Sequence, residues 1–170
     1  MSDSLQDFGP VDRFLVGAVG SPGKRTFYLF VEAAGSAAWF KCEKGQAAAL
    51  GEQGLELLSN LGWELDEDTV EAMVSLFDDL PPPPGPESVG LQVRSIAMRI
   101  ESRDRMTVML EGIEDDSHAV FTITAEQLRA AGLLALKAVH AGRPRCPNCL
   151  LPEDPGGHHC PSGNGHRPPG

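Results

Sequence analysis

The sequence predicts an α+β fold in which an antiparallel sheet, built from two β-β-β-α halves, carries packed helices. Two observations predict it. Short segments rich in Val, Phe, Tyr and Trp occur in two sets of three, separated by glycine-bearing turns, a composition typical of strands. Each set is followed by a segment with apolar residues three and four positions apart, which is the spacing of a helix. At 170 residues the chain is long enough for one domain with a core and a tail.

The first half, at about 11–62, contains three predicted strands and one helix. The strands lie at 14–20, 26–33 and 37–43. The helix is predicted at 46–61, although Gly51 and Gly54 weaken it. The strand at 26–33 is apolar on both faces, so we expect it to be central, covered by a helix or part of an interface.

The second half, at about 88–142, repeats this order. Its strands lie at 91–100, 106–113 and 119–124. A helix at 125–140 follows, and Thr124 with Gln127 has the capping-box pattern that marks a helix start. We therefore predict a duplicated body over residues 1–142.

An acidic helix at about 66–80 and a proline-rich linker occupy residues 63–87, between the halves. The possible partner-binding residues on this segment are Asp66, Glu67, Asp68, Glu71, Asp78 and Asp79. Such a run without a basic residue suits a docking surface for a basic partner, but a solvated helix face is the simpler interpretation. Pro81 to Pro84 should end the helix and continue as a stiff, extended spacer.

Charge and hydropathy limit the classes of partner. The formal net charge is −10, and residues 1–142 hold 11 Lys and Arg against 22 Asp and Glu, a balance of −11. Because nucleic-acid affinity comes largely from cations that displace counterions, generic DNA or RNA binding is not expected. No segment resembles a signal peptide or is apolar enough to span a bilayer. We therefore expect a cytoplasmic protein that binds another protein and no membrane.

The C-terminal tail, residues 143–170, contains seven prolines and five glycines in 28 residues. Such a segment buries too little apolar surface to order itself. It nevertheless carries three of the four cysteines, Cys146, Cys149 and Cys160. The two residues between Cys146 and Cys149 let both thiolates face one ion. His158 precedes Cys160 by two positions, which points both side chains the same way in an extended chain.

Cys146, Cys149, His158 and Cys160 predict a structural zinc site, a C-terminal zinc knuckle of the Cys₃His type. Zinc binding worth about 10 kcal/mol supplies the stability that the tail lacks. Four protein ligands leave no open position, so the zinc is not predicted to be catalytic. His159 is the main alternative as fourth ligand. A redox pair of cysteines and a tail without metal are the other interpretations.

The tail resembles that of an uncharacterised actinobacterial family known as a domain of unknown function. Family tails read C-P-x-C-x-x-P-x-D-P-x-G-H-x-C-P, and this chain matches that pattern from Cys146 to Pro161, after a duplicated, strand-rich body. The resemblance covers the whole chain. It implies His158 over His159 as the fourth ligand, and it implies no established activity.

No catalytic residues are predicted. Residues 18–24 approach a phosphate-binding loop, but Arg25 stands where Ser or Thr is needed and a strand follows, so we expect a hairpin turn. Residues 115–118 hold Asp, Ser and His, but neighbours in sequence rarely meet the geometry of a catalytic triad. We expect them to form a polar loop between two strands. Cys42 is expected to be a small buried hydrophobic residue.

The predicted function is that of a non-enzymatic interaction or adaptor protein with a structural zinc site. One alternative is a single-stranded nucleic-acid-binding protein, because duplicated strand-helix units occur in such proteins. In that case Trp39, Lys41 and Arg94 are the candidates to line a local groove. A further alternative is an enzyme whose site is assembled from residues that are distant in sequence.

Overall fold

The computed structural model describes residues 4–75, 80–142, 146–149 and 160. The strands in these residues are β1 Ser4–Pro10, β2 Arg13–Val19, β3 Thr26–Ala33, β4 Ser36–Cys42, β5 Val89–Ser102, β6 Arg105–Gly112 and β7 Ser117–Thr124. The helices are α1 Lys44–Leu61, α2 Glu67–Ser75 and α3 Ala125–His140, with one 3₁₀ turn at Pro86–Ser88. Three strands and a helix therefore occur twice, as β2-β3-β4-α1 and as β5-β6-β7-α3.

All seven strands form one mixed sheet in the order β1-β7-β6-β5-β4-β3-β2. Neighbours are antiparallel within β2-β3-β4 and within β5-β6-β7, but β4 pairs with β5 in parallel and β1 pairs with β7 in parallel. The prediction of a purely antiparallel sheet is therefore wrong. Each set has an odd number of antiparallel strands, so its first and last strands point the same way. When two such sets lie side by side in the same orientation, the last strand of the first set runs parallel to the first strand of the second set. These strands are β4 and β5.

β1 is a strand that its composition does not predict. Asp7, Gly9 and Pro10 are residue types that strands generally exclude. Gly9 has a left-handed φ of 61°, and its amide donates a hydrogen bond to Asp7 Oδ1 at 2.9 Å. The strand's register on β7 shifts between Asp7 and Pro10. Pairing with β7 therefore stabilises β1 against its own local preferences.

The sheet curls so that its two ends lie close together. β1 and β2 are at opposite ends of the strand order, yet only Val11 and Asp12 link them. Three Cα–Cα steps span at most about 11 Å, whereas a flat sheet of this size would place its outer strands about 29 Å apart. The link is held on both sides, because Val11 N donates to Thr122 O at 3.0 Å and Asp12 N donates to Glu32 O at 2.7 Å.

One hydrophobic core joins the sheet to α1 and α3. Phe14 of β2 and Phe121 of β7 are fully buried in it, with ring centroids 5.3 Å apart across the two ends of the curled sheet. Gly51 of α1 and Gly132 of α3 lie where the two helices meet, and a Cβ atom at Gly51 would be only 3.0 Å from Gly132 O. The helices approach this closely because neither has a side chain at that point.

β3 is buried on both faces, as predicted for a helix-covered or central strand. Its residues in the main core are Phe27, Leu29, Val31 and Ala33. A second, smaller cluster on the other face consists of Leu15, Phe30, Trp39, Leu80 and Leu134. Trp39 Nε1 donates a hydrogen bond to Pro81 O at 2.9 Å. This bond and the buried Leu80 hold the start of the proline-rich segment against β2, β3 and β4.

α2 differs from the predicted helix at its C-terminal end. The helix is described as far as Ser75, and Leu80 has no helical structure although it lies within the predicted span. The physical reason is Pro81, whose ring disfavours helical backbone in the residue before it. Residues 76–79, which complete the predicted span, lie outside the described residues. Val70 is the buried residue of α2.

Candidate metal centre

The segment that carries the predicted metal ligands follows α3. This helix begins with the predicted capping box, in which Thr124 Oγ1 accepts from Gln127 N at 3.1 Å and Gln127 Oε1 accepts from Thr124 N at 2.9 Å. Gln127 Nε2 also donates to Val11 O at 2.9 Å, which connects the helix start to the link between β1 and β2. α3 ends at His140, six residues before Cys146.

The three cysteines of the tail lie together. The Sγ atoms of Cys146, Cys149 and Cys160 are all within 4.8 Å of one another. The Sγ atoms of Cys146 and Cys160 are 3.7 Å apart, well beyond the bond length of about 2.05 Å in a disulfide. Cys146 and Cys160 are buried, and Cys149 is half-buried. The structure therefore brings together three of the four predicted ligands, and their sulfur atoms could hold a metal ion.

The fourth predicted ligand is not among the described residues. His158 lies outside them, as does its alternative His159. Three cysteine sulfurs form a soft donor set, which favours transition metals over magnesium or calcium. The three sulfur donors therefore suit zinc, the metal that the sequence predicts.

Cys42 is not part of this cluster. It lies near the end of β4, where it is 5% exposed, and joins the main core as expected of a small hydrophobic residue. Burial, and secondly the charge of Glu43, raise the pKa of the Cys42 thiol to about 12. Its sulfur therefore stays protonated at neutral pH and is a poor metal ligand.

Two of the acidic residues singled out between the halves hold α2 in place. Asp66 accepts hydrogen bonds from Thr69 Oγ1 at 2.8 Å and from Thr69 N at 3.3 Å, which places its carboxylate at the start of the helix. These bonds, the hydroxyl first, lower the pKa of the Asp66 carboxyl below its ordinary value. Glu67 Oε2 lies 3.5 Å from Arg129 Nε of α3. Both residues thus have structural contacts within the body.

The remaining acidic residues divide into two groups. Asp68 and Glu71 are exposed on α2. Asp78 and Asp79 lie outside the described residues. Among the described residues, Asp66, Glu67, Asp68 and Glu71 are all exposed, and Asp68 and Glu71 are the two without the structural contacts of Asp66 and Glu67.

The structure does not bring Trp39, Lys41 and Arg94 to a common stacking groove. Trp39 is 6% exposed, and its indole is bound to Pro81 O, so its ring is unavailable to a base. Arg94 donates to Ile113 O at 2.7 Å and lies 3.5 Å from a carboxylate oxygen of Glu111. The stacking platform that single-stranded nucleic acids require is thus absent from this set of residues.

The two motifs that resemble catalytic loops are turns. Residues 20–25 join β2 to β3, with Lys24 N donating to Ser21 O at 2.9 Å. Residues 113–116 join β6 to β7, and Ser117 Oγ donates to Glu114 O at 2.7 Å. Both observations agree with the expected hairpin turns. Among the described residues, no helix combines the length and the apolar character needed to cross a bilayer.

A cluster of basic side chains lies beside the start of the tail, and sequence reasoning missed it. A Cβ atom at Gly142 would lie 3.4 Å from Arg25 Nη2 and 3.6 Å from Lys44 Nζ. Lys137 of α3 lines the same cavity as Arg25. These side chains come from the β2–β3 turn, the first residue of α1 and the last turns of α3. They have no shared spacing in the sequence that could have signalled the cluster.

Comparison with known proteins decides the family. A family model described as a protein of unknown function (DUF3090) matches residues 6–160. This chain belongs to that family. The DUF3090 match includes β1 from Gln6 onward, every later strand and helix that the structure describes, and the three clustered cysteines. No curated protein and no solved structure matches the chain. The family has no assigned function, so any role must be argued from the site.

Proposed function

We propose that this DUF3090 protein is a non-enzymatic interaction or adaptor protein with one structural zinc ion. Cys146, Cys149 and Cys160 would bind the ion, and His158 would complete the set. The observation that carries the proposal is the convergence of three thiol sulfurs within 4.8 Å. A cytoplasmic location and an actinobacterial source, as the sequence and its resemblance imply, remain predictions alongside it.

The sulfur geometry supports zinc. Zinc–sulfur bonds of about 2.3 Å at tetrahedral angles place two thiolate sulfurs about 3.8 Å apart. The observed separation between Cys146 Sγ and Cys160 Sγ is 3.7 Å. Zinc is also the usual occupant of closed Cys₃His sites. Cysteines held in this spacing without a disulfide are typical of proteins kept in a reducing compartment.

A structural role follows from the ligand count. With His158 as fourth ligand, the zinc has no open position for water or substrate, which is what catalytic zinc requires. The tail is rich in proline and glycine, so the metal supplies the ordering energy that apolar burial cannot. The ion would thus fix the tail beside the body and take no part in a reaction.

Charge supports a basic protein as the partner. Asp68 and Glu71 are exposed on α2, and the chain carries a net charge of −10. A surface of this sign repels phosphate backbones and anionic lipid and attracts a basic protein surface. The burial of Trp39 weighs further against the single-stranded nucleic-acid alternative.

Protein purified under reducing conditions without chelator is expected to contain about one zinc ion per chain, because a site of this type binds zinc with about 10 kcal/mol or more. Inductively coupled plasma mass spectrometry on the native protein measures the ratio of metal to chain. A reagent that modifies the thiols should release the same amount of zinc, which a zinc-binding dye measures. Protein with no bound metal would contradict the proposal, and a different metal would correct the identity of the ion.

The interaction role is tested by capture from a cytosolic extract with the full-length protein as bait. The double variant Asp68→Asn/Glu71→Gln is expected to lose a basic partner that the native bait retains at low salt, because the attraction depends on these exposed charges. The matched control is Glu52→Gln/Glu56→Gln, which removes two exposed charges from α1. Equal retention by all three baits would contradict the docking surface on α2.

A further inference from the structure

A small cavity lies between β2, α3 and the segment that begins at Leu80. Its volume is about 70 Å³. Most of its wall is hydrocarbon, contributed by Leu15, Ala18, Leu80, Leu134 and Ala138. Gly17 allows this arrangement, because a Cβ atom there would be 3.1 Å from Leu80 Cγ. The cavity is therefore apolar over most of its surface and open enough to admit a small molecule.

The charged side chains that line the cavity, Arg25 and Lys137, are both basic. Lys44 lies next to Arg25, because the two side-chain nitrogens are 3.4 Å and 3.6 Å from one point beside Gly142 and so no more than 7.0 Å apart. Arg25 is held in position by the Phe27 ring, whose centroid is 5.3 Å from its guanidinium carbon.

Arg25 and Lys44 differ from other basic residues of the body, because neither is paired with a carboxylate among the residues that the structure describes. Other arginines of the body pair with acids, such as Arg13 with Glu32 and Arg99 with Glu101. Within the described ranges, by contrast, no carboxylate lies within 4.0 Å of Arg25 or Lys44. In a protein with a net charge of −10, two cations that have no acidic partner among the described residues and lie beside an apolar cavity provide an attractive position for an anion.

We propose that this cavity binds a short-chain monocarboxylate. The carboxylate would lie at Arg25 and Lys44, and the hydrocarbon chain would pack among Leu15, Leu80 and Leu134. This ligand joins one anionic group to a hydrocarbon chain, which matches an apolar cavity beside two basic side chains. A phosphate ion is polar on every side and would leave oxygen atoms against hydrocarbon, which costs free energy.

The volume limits the length of the chain. About 70 Å³ is the liquid volume of two to three water molecules, so the cavity accepts a chain of about three carbon atoms. Butyrate therefore serves as the probe. The guanidinium of Arg25 can donate to both carboxylate oxygens through two of its nitrogens, which orients the ligand. The ammonium of Lys44 adds a second positive charge. The proposal does not depend on the zinc site or on the acidic surface of α2.

The test is a titration of the full-length, metal-loaded protein by two-dimensional NMR. Butyrate is expected to shift the amides of β2 and α3 with a dissociation constant of about 1 mM, the range that six heavy atoms allow. Inorganic phosphate and 1-butanol, which share only the charge or only the chain, are each expected to bind at least about tenfold more weakly. Equal binding of phosphate, equal binding of butanol, or no shift with butyrate would overturn the proposal.

Variants locate the ligand. Arg25→Gln and Lys44→Gln are each expected to weaken butyrate binding about tenfold, because a charge-assisted hydrogen bond is lost. Ala138→Leu should fill the cavity and abolish binding. Lys24→Gln is the matched control, because Lys24 is the exposed neighbour of Arg25 and does not line the cavity. Unchanged binding in the folded Arg25→Gln and Lys44→Gln variants would overturn the proposal even if Ala138→Leu fails to fold.

Discussion

Cys149→Ser is expected to reduce the metal content from the proposed one ion per chain to nearly none, because it removes one of the three thiolates proposed to hold the ion. The serine hydroxyl stays protonated at neutral pH and is a poor ligand for a soft metal ion. Elemental analysis of the purified variant, beside the native protein prepared in the same way, measures the loss. A variant that keeps its full metal content would contradict the ligand set.

Cys42→Ala is the matched control for that experiment. Cys42 is a buried cysteine of β4, and burial raises the pKa of its thiol to about 12, so it does not supply a thiolate. Its replacement should leave the metal content unchanged, although the small void in the core will lower stability. Loss of metal in both variants would point to a general effect of destabilisation.

The fold of the body is expected to persist in Cys149→Ser. The residues of the two hydrophobic clusters all come from residues 11–135, and neither cluster contains a tail cysteine. We therefore expect the midpoint of thermal unfolding to fall by no more than about 4 °C, a loss of about 1 kcal/mol or less for a domain of this size. Limited proteolysis should cleave the tail rapidly. Unfolding of the whole variant would show that the metal site is an integral part of the fold.

Gly51→Ala is expected to lower the free energy of unfolding by about 1–3 kcal/mol, although alanine is the better helix former by about 1 kcal/mol. The new Cβ atom would lie 3.0 Å from Gly132 O, a backbone atom, and 2.9 Å from Leu136 Cγ. α1 and α3 must then move apart, and the apolar contacts on either side of the crossing weaken. Urea unfolding followed by circular dichroism measures the change.

Gly45→Ala in the same helix separates packing from helix propensity. A Cβ atom at Gly45 would meet nothing within 4 Å, so alanine there should raise the free energy of unfolding or leave it unchanged. The two substitutions are chemically identical, but only Gly51→Ala is expected to lower the free energy of unfolding. A gain in stability from Gly51→Ala would contradict the close approach of α1 and α3.

The sequence by itself determined most of the local structure. The strand predicted at 26–33 has the observed bounds, and the helix predicted at 125–140 does as well. The capping box at Thr124 and Gln127 forms as expected. These features depend on residues close together in the chain, where side-chain alternation, helical spacing and capping groups act locally.

The sequence also indicated the cysteine cluster. Cys146 and Cys149 are separated by the spacing of a metal-binding turn, and a tail whose large apolar residues are Leu150 and Leu151 alone has few other reasons to carry three cysteines. The spacing of Cys146 and Cys149 does not determine the distance from either cysteine to Cys160. That distance depends on the path of the chain between Cys149 and Cys160. The structure places that sulfur 3.7 Å from Cys146 Sγ.

Only the tertiary structure decided the parallel pairings, β1 and the basic cavity. β1 contains residue types that disfavour strands. It forms because it pairs with the edge of β7, which lies more than 100 residues away in the sequence. The parallel pair of β4 and β5 follows from the shared orientation of the two sets of strands. The alternation of side chains within a strand does not specify that orientation. Arg25, Lys44 and Lys137 come from separate elements and lie near one cavity only because those elements pack together. Contacts between distant segments depend on how whole elements pack, whereas side-chain periodicity specifies only the element itself.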